Sequence, residues 1–234
     1  MLQQLIWKDV RLSRSLLVVI GLTLLAAIGV AVAMVQLLSL DSDGRFVQQV
    51  SIVLVTSARF FEMLSLGTIT ILAGNIVASE RSVGRFSFLA YLPLSRTIIL
   101  GSKLLVILLT ALIVAWLCLC FQLVASVLSA DPDVTTVFVQ RLPPSWDLLP
   151  FGIVMVSAAF SGSVFIGSPA ISTILGLSAP SLLRIAVLLP LTYVVDFSPV
   201  NMPRFEQSVY LACSVLLLLL SWRHFVKRET LSGL

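Results

Sequence analysis

Apolar residues in this chain do not alternate with polar ones but run in blocks of about twenty, separated by short stretches that hold most of the charge. A bilayer core about 30 Å thick is crossed by roughly 20 helical residues, so each block is long enough to span it. The blocks predict six helical spans, at residues 15–40, 57–79, 98–128, 149–168, 183–197 and 207–225. Backbone groups in lipid must be satisfied within the protein, which leaves helices or closed barrels, and blocks of this length read as helices. The expected fold class is therefore an all-α integral membrane protein forming a single transmembrane domain over residues 1–234. Gly167, Ser168, Pro169, Gly176 and Pro180 break the pattern between the fourth and fifth spans, and Pro190 should kink or divide the fifth. The first block is preceded by basic residues and contains Ala31-Val32-Ala33, as a cleavable leader would, but it is longer than the 7–15 residues of a signal core. It is taken as a span.

Two of the polar stretches carry a pattern of their own. In residues 1–14, Leu2, Leu5, Ile6 and Val10 recur at helical spacing, with Gln4, Lys8 and Arg11 opposite them. Such a helix lies in the membrane interface, Trp7 at headgroup depth and its cations toward the phosphates. The segment 80–97 is the more specific. Phe86, Phe88, Leu89 and Leu92 are too few to span, Arg81 and Arg85 stand four apart on one side of a helix, and Pro93 ends that helix. Ser95 is then placed to cap the next helix, which becomes the third span. A helix, a corner and a second helix entering the membrane make a lever, so that a push on the corner would tilt spans two and three.

Composition agrees with the class, since 59% of the 234 residues are hydrophobic and 11% charged. Charge then predicts the orientation. Lys8, Arg11 and Arg14, with Arg81, Arg85, Arg96, Lys103 and Arg184, and finally Arg223, Lys227 and Arg228, put eleven cations on one side. Three cations, Arg45, Arg141 and Arg204, fall on the other. Basic residues collect on the cytoplasmic side of short loops, so both termini and 80–97 are expected in the cytoplasm, across the inner (cytoplasmic) membrane of a cell. The net charge of +4 follows from this bias and indicates lipid headgroups rather than nucleic acid, because the cations sit beside spans and no aromatic stacking platform accompanies them.

Glu80, three residues, Gly84, and then Phe88-Leu89-Ala90-Tyr91-Leu92-Pro93-Leu94-Ser95-Arg96 resemble the Glu-x-x-x-Gly-Thr…Leu-Leu-x-x-Pro-(Leu/Val)-Ser-Arg signature of ABC-2-type transporter permeases. Arg85 stands where that family usually has Thr, and Ser87 where an acid is common. Leu5-Ile6-Trp7-Lys8-Asp9-Val10-Arg11 is similar to the family's interfacial elbow helix. The resemblance covers the first half of the chain; the second half matches in its number of spans. It implies a permease subunit of an ATP-driven transporter, an exporter working by alternating access, that forms a homodimer or a heterodimer with a second permease. It further implies two cytoplasmic ABC ATPase subunits that hold ATP and Mg, with this chain holding no cofactor. Glu80, Gly84, Arg85, Phe88, Leu92, Pro93 and Arg96 would form the ATPase-coupling element, and Trp7, Lys8 and Arg11 the elbow. In that role Glu80 would meet donors on the ATPase, Gly84 would allow its close approach and Pro93 would hold the corner. No Gly-x-x-x-x-Gly-Lys-Ser/Thr loop occurs in the chain, in keeping with a motor on another subunit.

Other residue types weigh less. Arg59 and Glu62, three apart at the start of span two, are expected near the outer boundary as a structural pair, or else as a gate. Thr68, Thr70 and Asn75 can line a cavity or make helix-packing hydrogen bonds. Ser161-Gly162-Ser163 could suggest an intramembrane protease, but the sole histidine, His224, lies at the far end of span six, and one histidine without paired carboxylates cannot build a zinc site. Ser161, Gly162, Ser163 and Gly167 are better explained by close helix packing, and Cys118, Cys120 and Cys213 by small core residues. No catalysis is expected. The rival readings are a non-transporting anchor or sensor subunit of an ATPase complex and an ion-coupled secondary transporter.

Overall fold

The computed structural model of the chain describes residues 46–82, 95–128, 145–190 and 202–231, with single helical positions scattered between Trp7 and Ala33. Every element among the described residues is helical. They are α1 (Phe46–Ser82), α2 (Arg96–Leu128), α3 (Ser145–Phe165), α4 (Pro169–Leu183) and α5 (Met202–Leu231), and a π turn at Arg184–Leu188 continues α4. Four helical stretches are long and apolar enough to cross a membrane, Phe60–Glu80, Thr97–Cys120, Pro169–Val187 and Arg204–Lys227, and Leu149–Phe165 is a shorter apolar helix. The described residues are thus all-helical, with four to five apolar helices of spanning character, as in a membrane-embedded protein. Trp7 and Arg11 are helical and exposed, as are Val18, Val19, Leu22, Leu25 and Val30 within the first predicted span; Lys8 lies outside the described residues.

The predicted spans two, three and six correspond to α1, α2 and α5, and the fourth ends at Phe165 rather than 168. The fifth begins earlier than predicted: helix runs from Pro169 to Pro190, the last described residue before 202, so the start lies at 169 rather than 183. Of the five supposed breakers, Gly167 supplies the break, with φ 74°, a left-handed backbone that glycine enters without a Cβ clash. Ser168 and Pro169 then begin α4, where a proline's missing N–H leaves nothing unsatisfied. Gly176 and Pro180 lie buried inside the helix. Lipid offers no competing hydrogen bonds, so a glycine and a proline that would end a helix in water are carried through.

The chain divides into two compact units, one of Met1–Ser13, Ile69–Ile107 and Trp146–Leu234, the other of Arg14–Thr68 and Leu108–Ser145. In the second, Phe61, Ser65, Thr68, Thr110, Val114 and Cys118 are buried. In the first, helix directions follow from the order of contacts. A Cβ on Gly162 would lie 3.0 Å from the Ser172 Cα, and one on Gly176 would lie 2.5 Å from the Ala159 Cβ and 2.7 Å from the Met155 carbonyl oxygen. Rising numbers on α4 meet falling ones on α3, so the two are antiparallel. The α1 contacts, Gly176 on Thr70 and Gly74 on Thr173, give the same relation between α4 and α1. Along α5, Tyr210 meets Phe151, the Leu217 carbonyl accepts from Ser161, and His224 lies against Phe165, so α5 runs parallel to α3. Glu80, Phe165, the Gly167 turn and His224 consequently gather at one end of this unit, and Arg184, Glu206 and Tyr210 at the other.

Small residues make these approaches possible. Without water between helices in lipid, association depends on close van der Waals contact, and glycine or serine lets two backbones meet. Ser157, Ser161, Ser163 and Ser172 are buried and return their hydroxyls to carbonyls three or four residues earlier on their own helices, so that none is left wanting a partner. Gly162 therefore does what the sequence predicts of it.

Candidate functional site

The segment singled out by sequence is bounded by α1 and α2, and the two helix ends are tied together there. Lys103, in the second turn of α2, places its Nζ 2.8 Å from the Glu80 Oε2. Only 1% of the Lys103 side chain and 3% of the Glu80 side chain are exposed. The same ammonium donates to the Ile76 carbonyl at 3.1 Å. Ile76 and Glu80 are one turn apart, so a single turn of α1 presents a carboxylate and a carbonyl to one cation. The negative end of the α1 dipole adds to the attraction, because that turn lies close to the helix terminus at Ser82. A buried charge is costly unless paired and hydrogen-bonded, and each of these charges has its opposite in contact.

This arrangement alters two expectations. Glu80, directed by the sequence reading toward a partner, is turned inward onto Lys103. Lys103, counted among the loop cations, lies inside α2 and is buried, though at the end of the unit to which it was assigned. The next helix begins as foreseen: Ser95 precedes α2, and its carbonyl accepts from the N–H groups of Ile98 and Ile99. Its hydroxyl pairs with that of Thr97 at 2.8 Å instead of with a backbone amide. Gly84, Arg85, Phe88, Leu92 and Pro93 lie outside the described residues, and of Arg96 and Arg59 the helical backbone alone is described. Glu62 is partly buried in α1. Thr68 donates to the Ser65 carbonyl and Asn75 to the Ile71 carbonyl, both within α1, which favours packing over cavity lining.

A second polar cluster lies at the opposite end of the same unit. The Tyr210 hydroxyl donates to the Glu206 Oε1 at 2.6 Å, and the Arg184 Nε stands 3.9 Å from that oxygen. Phe151 meets the Tyr210 ring edge-on, and Leu183, Phe205 and Val209 close around it. Arg184 is 72% exposed and Glu206 23% exposed, so the contact is loose and screened. Arg184 is thereby removed from the Glu80 side. The number of basic residues assigned there falls from eleven to ten, the number assigned to the other side rises from three to four, and the predicted bias remains.

Lys103 could have been recognised from the chain alone, as an ammonium seven residues into an apolar block, which lipid cannot solvate and which therefore demands a partner. No group of three or more His, Cys, Asp or Glu able to hold a metal ion occurs among the described residues. No family model, curated protein or solved structure matches the chain.

Proposed function

We propose that this chain is the permease subunit of an ATP-driven exporter of the ABC-2 type, seated in the cytoplasmic membrane with both termini inside. It works as a dimer with a second permease and takes its drive from two ATPase subunits docked on the segment 80–97. One observation carries the reading: the Glu80-to-Arg96 signature lies between two apolar helices whose facing ends are joined by a buried ion pair. A segment rooted in that way hands an external push to both helices, whereas a passive loop has no need of the joint. The ion-coupled alternative is weaker, because carrying protons or cations requires a carboxylate well inside a span. Within the apolar stretches the acids are Glu62, Glu80 and Glu206, each within three residues of a stretch's end.

The full chain, purified from its native membrane in mild detergent, should bring down a second polypeptide that takes up azido-ATP on illumination, while this chain takes up none. Gly84→Leu and Pro93→Ala should each lower recovery of the labelled subunit, or its chain-stimulated ATP turnover, by about tenfold. If the parental chain recovers no nucleotide-binding subunit, the permease reading is wrong. Parental recovery and turnover in both variants would reduce 80–97 to a solvated loop.

A further inference from the structure

We propose that Lys103 and Glu80 form a positioning pair that sets the angle between α1 and α2, so that a displacement of the segment between them tilts both helices as one body. The proposal rests on the permease reading and adds to it a residue outside the signature. Its basis is the chelated geometry at the helix ends. The Lys103 ammonium is 2.8 Å from the Glu80 carboxylate and 3.1 Å from the Ile76 carbonyl, and both acceptors belong to one turn of α1. Two directional contacts to one rigid turn fix where the Lys103 end of α2 can stand. Leucine against leucine would let the helices slide.

Stability alone does not account for the pair. Replacing a buried ion pair by apolar side chains of similar volume is often neutral or stabilising, because the desolvation of two charges offsets much of their attraction. In a site bordered by apolar helix the apolar solution was available, and a charged one stands there.

The test compares Glu80→Leu/Lys103→Met with the exchange Glu80→Lys/Lys103→Glu in the full chain. Spin labels at positions 71 and 98, in a background where Cys118, Cys120 and Cys213 are replaced by serine, report the α1–α2 distance. Stimulated hydrolysis of MgATP by the complex recovered with the ATPase reports the coupling. The Leu/Met chain should melt at or above the parental temperature yet show a broader distance distribution and an about tenfold loss of stimulated turnover. The exchange should restore the narrow distribution and most of the turnover. A role confined to stability predicts the reverse, full turnover in the Leu/Met chain, and that result with an unbroadened distribution overturns the proposal. Should the Leu/Met chain fail to insert, Glu80→Gln/Lys103→Gln gives the same two readouts. If the parental chain brings down no ATPase, the permease reading falls, while the label distances still decide whether the pair positions the helices.

Discussion

At the scale of single residues, the consequences of substitution separate by what each side chain or missing side chain touches. Truncating Glu80 alone leaves the Lys103 ammonium buried without its carboxylate, and breaking a buried pair from one side costs about 3–5 kcal/mol. Glu80→Ala should therefore lower the thermal midpoint of the full chain in detergent, and a midpoint equal to the parent's would show that the ammonium finds water. Two glycines give a sharper contrast. A Cβ on Gly176 would meet the Ala159 Cβ at 2.5 Å, the Thr70 Cγ2 at 2.6 Å and the Met155 carbonyl oxygen at 2.7 Å, all on packed helices. Gly176→Ala should cost about 1–3 kcal/mol through overpacking. Gly101→Ala meets nothing within 4 Å and should be neutral or gain about 0.5–1 kcal/mol from helix propensity. Melting curves in one detergent check the order, and a Gly176→Ala chain melting above Gly101→Ala would contradict the packing. By sequence Lys103 counts as a loop cation, and nothing in the chain points to Glu80 as its partner. The two are 23 positions apart, and their meeting depends on the angle at which two helices cross.

At the scale of elements, what was legible followed from length and hydrophobicity, and what was not followed from treating punctuation as though the solvent were water. The helices α1, α2 and α5 lie where long apolar runs put them, since no other backbone state is satisfied in lipid. The fifth predicted span starts later than α4 does because Gly176 and Pro180 resemble loop residues. Inside α4, Gly176 is the small residue that admits α3, and Pro180 is followed by adjusted hydrogen bonding. The Arg184 N–H reaches both the Pro180 and Ser181 carbonyls, and the Leu189 N–H reaches back five residues to the Arg184 carbonyl. Such π turns are rare single-turn bulges within α-helices. With α4 beginning at Pro169 and its π turn holding Arg184, Arg184 belongs to the end opposite Glu80. Cysteines introduced at 184 and at 133 should thus react with a membrane-impermeant maleimide from the same side, and a cysteine at 85 from the other. Labelling of 184 together with 85 would return the fifth span to its sequence-predicted place.

At the scale of the whole molecule, the proposed function rests on one local signature and a predicted topology, while the second half of the chain contributes spans and no chemistry. The purified chain, free of other subunits, should hydrolyse ATP no faster than a buffer blank by phosphate release, since it lacks a phosphate-cradling loop. Robust turnover would place a motor in this chain and remove the reason for a partner. Gly167 bears on how the chain comes to be in the membrane at all. Its left-handed turn joins α3 to α4 with no room for an intervening loop, and the apolar part of α3, Leu149–Phe165, is the shortest among the described residues and carries three buried serines. A helix of that kind is poorly retained by lipid when it emerges from the ribosome alone. Folded back on its neighbour at Gly167 it should enter as half of a preformed pair, so a chain interrupted after Phe165 should integrate less completely than one interrupted after Pro190, as an insertion assay would read.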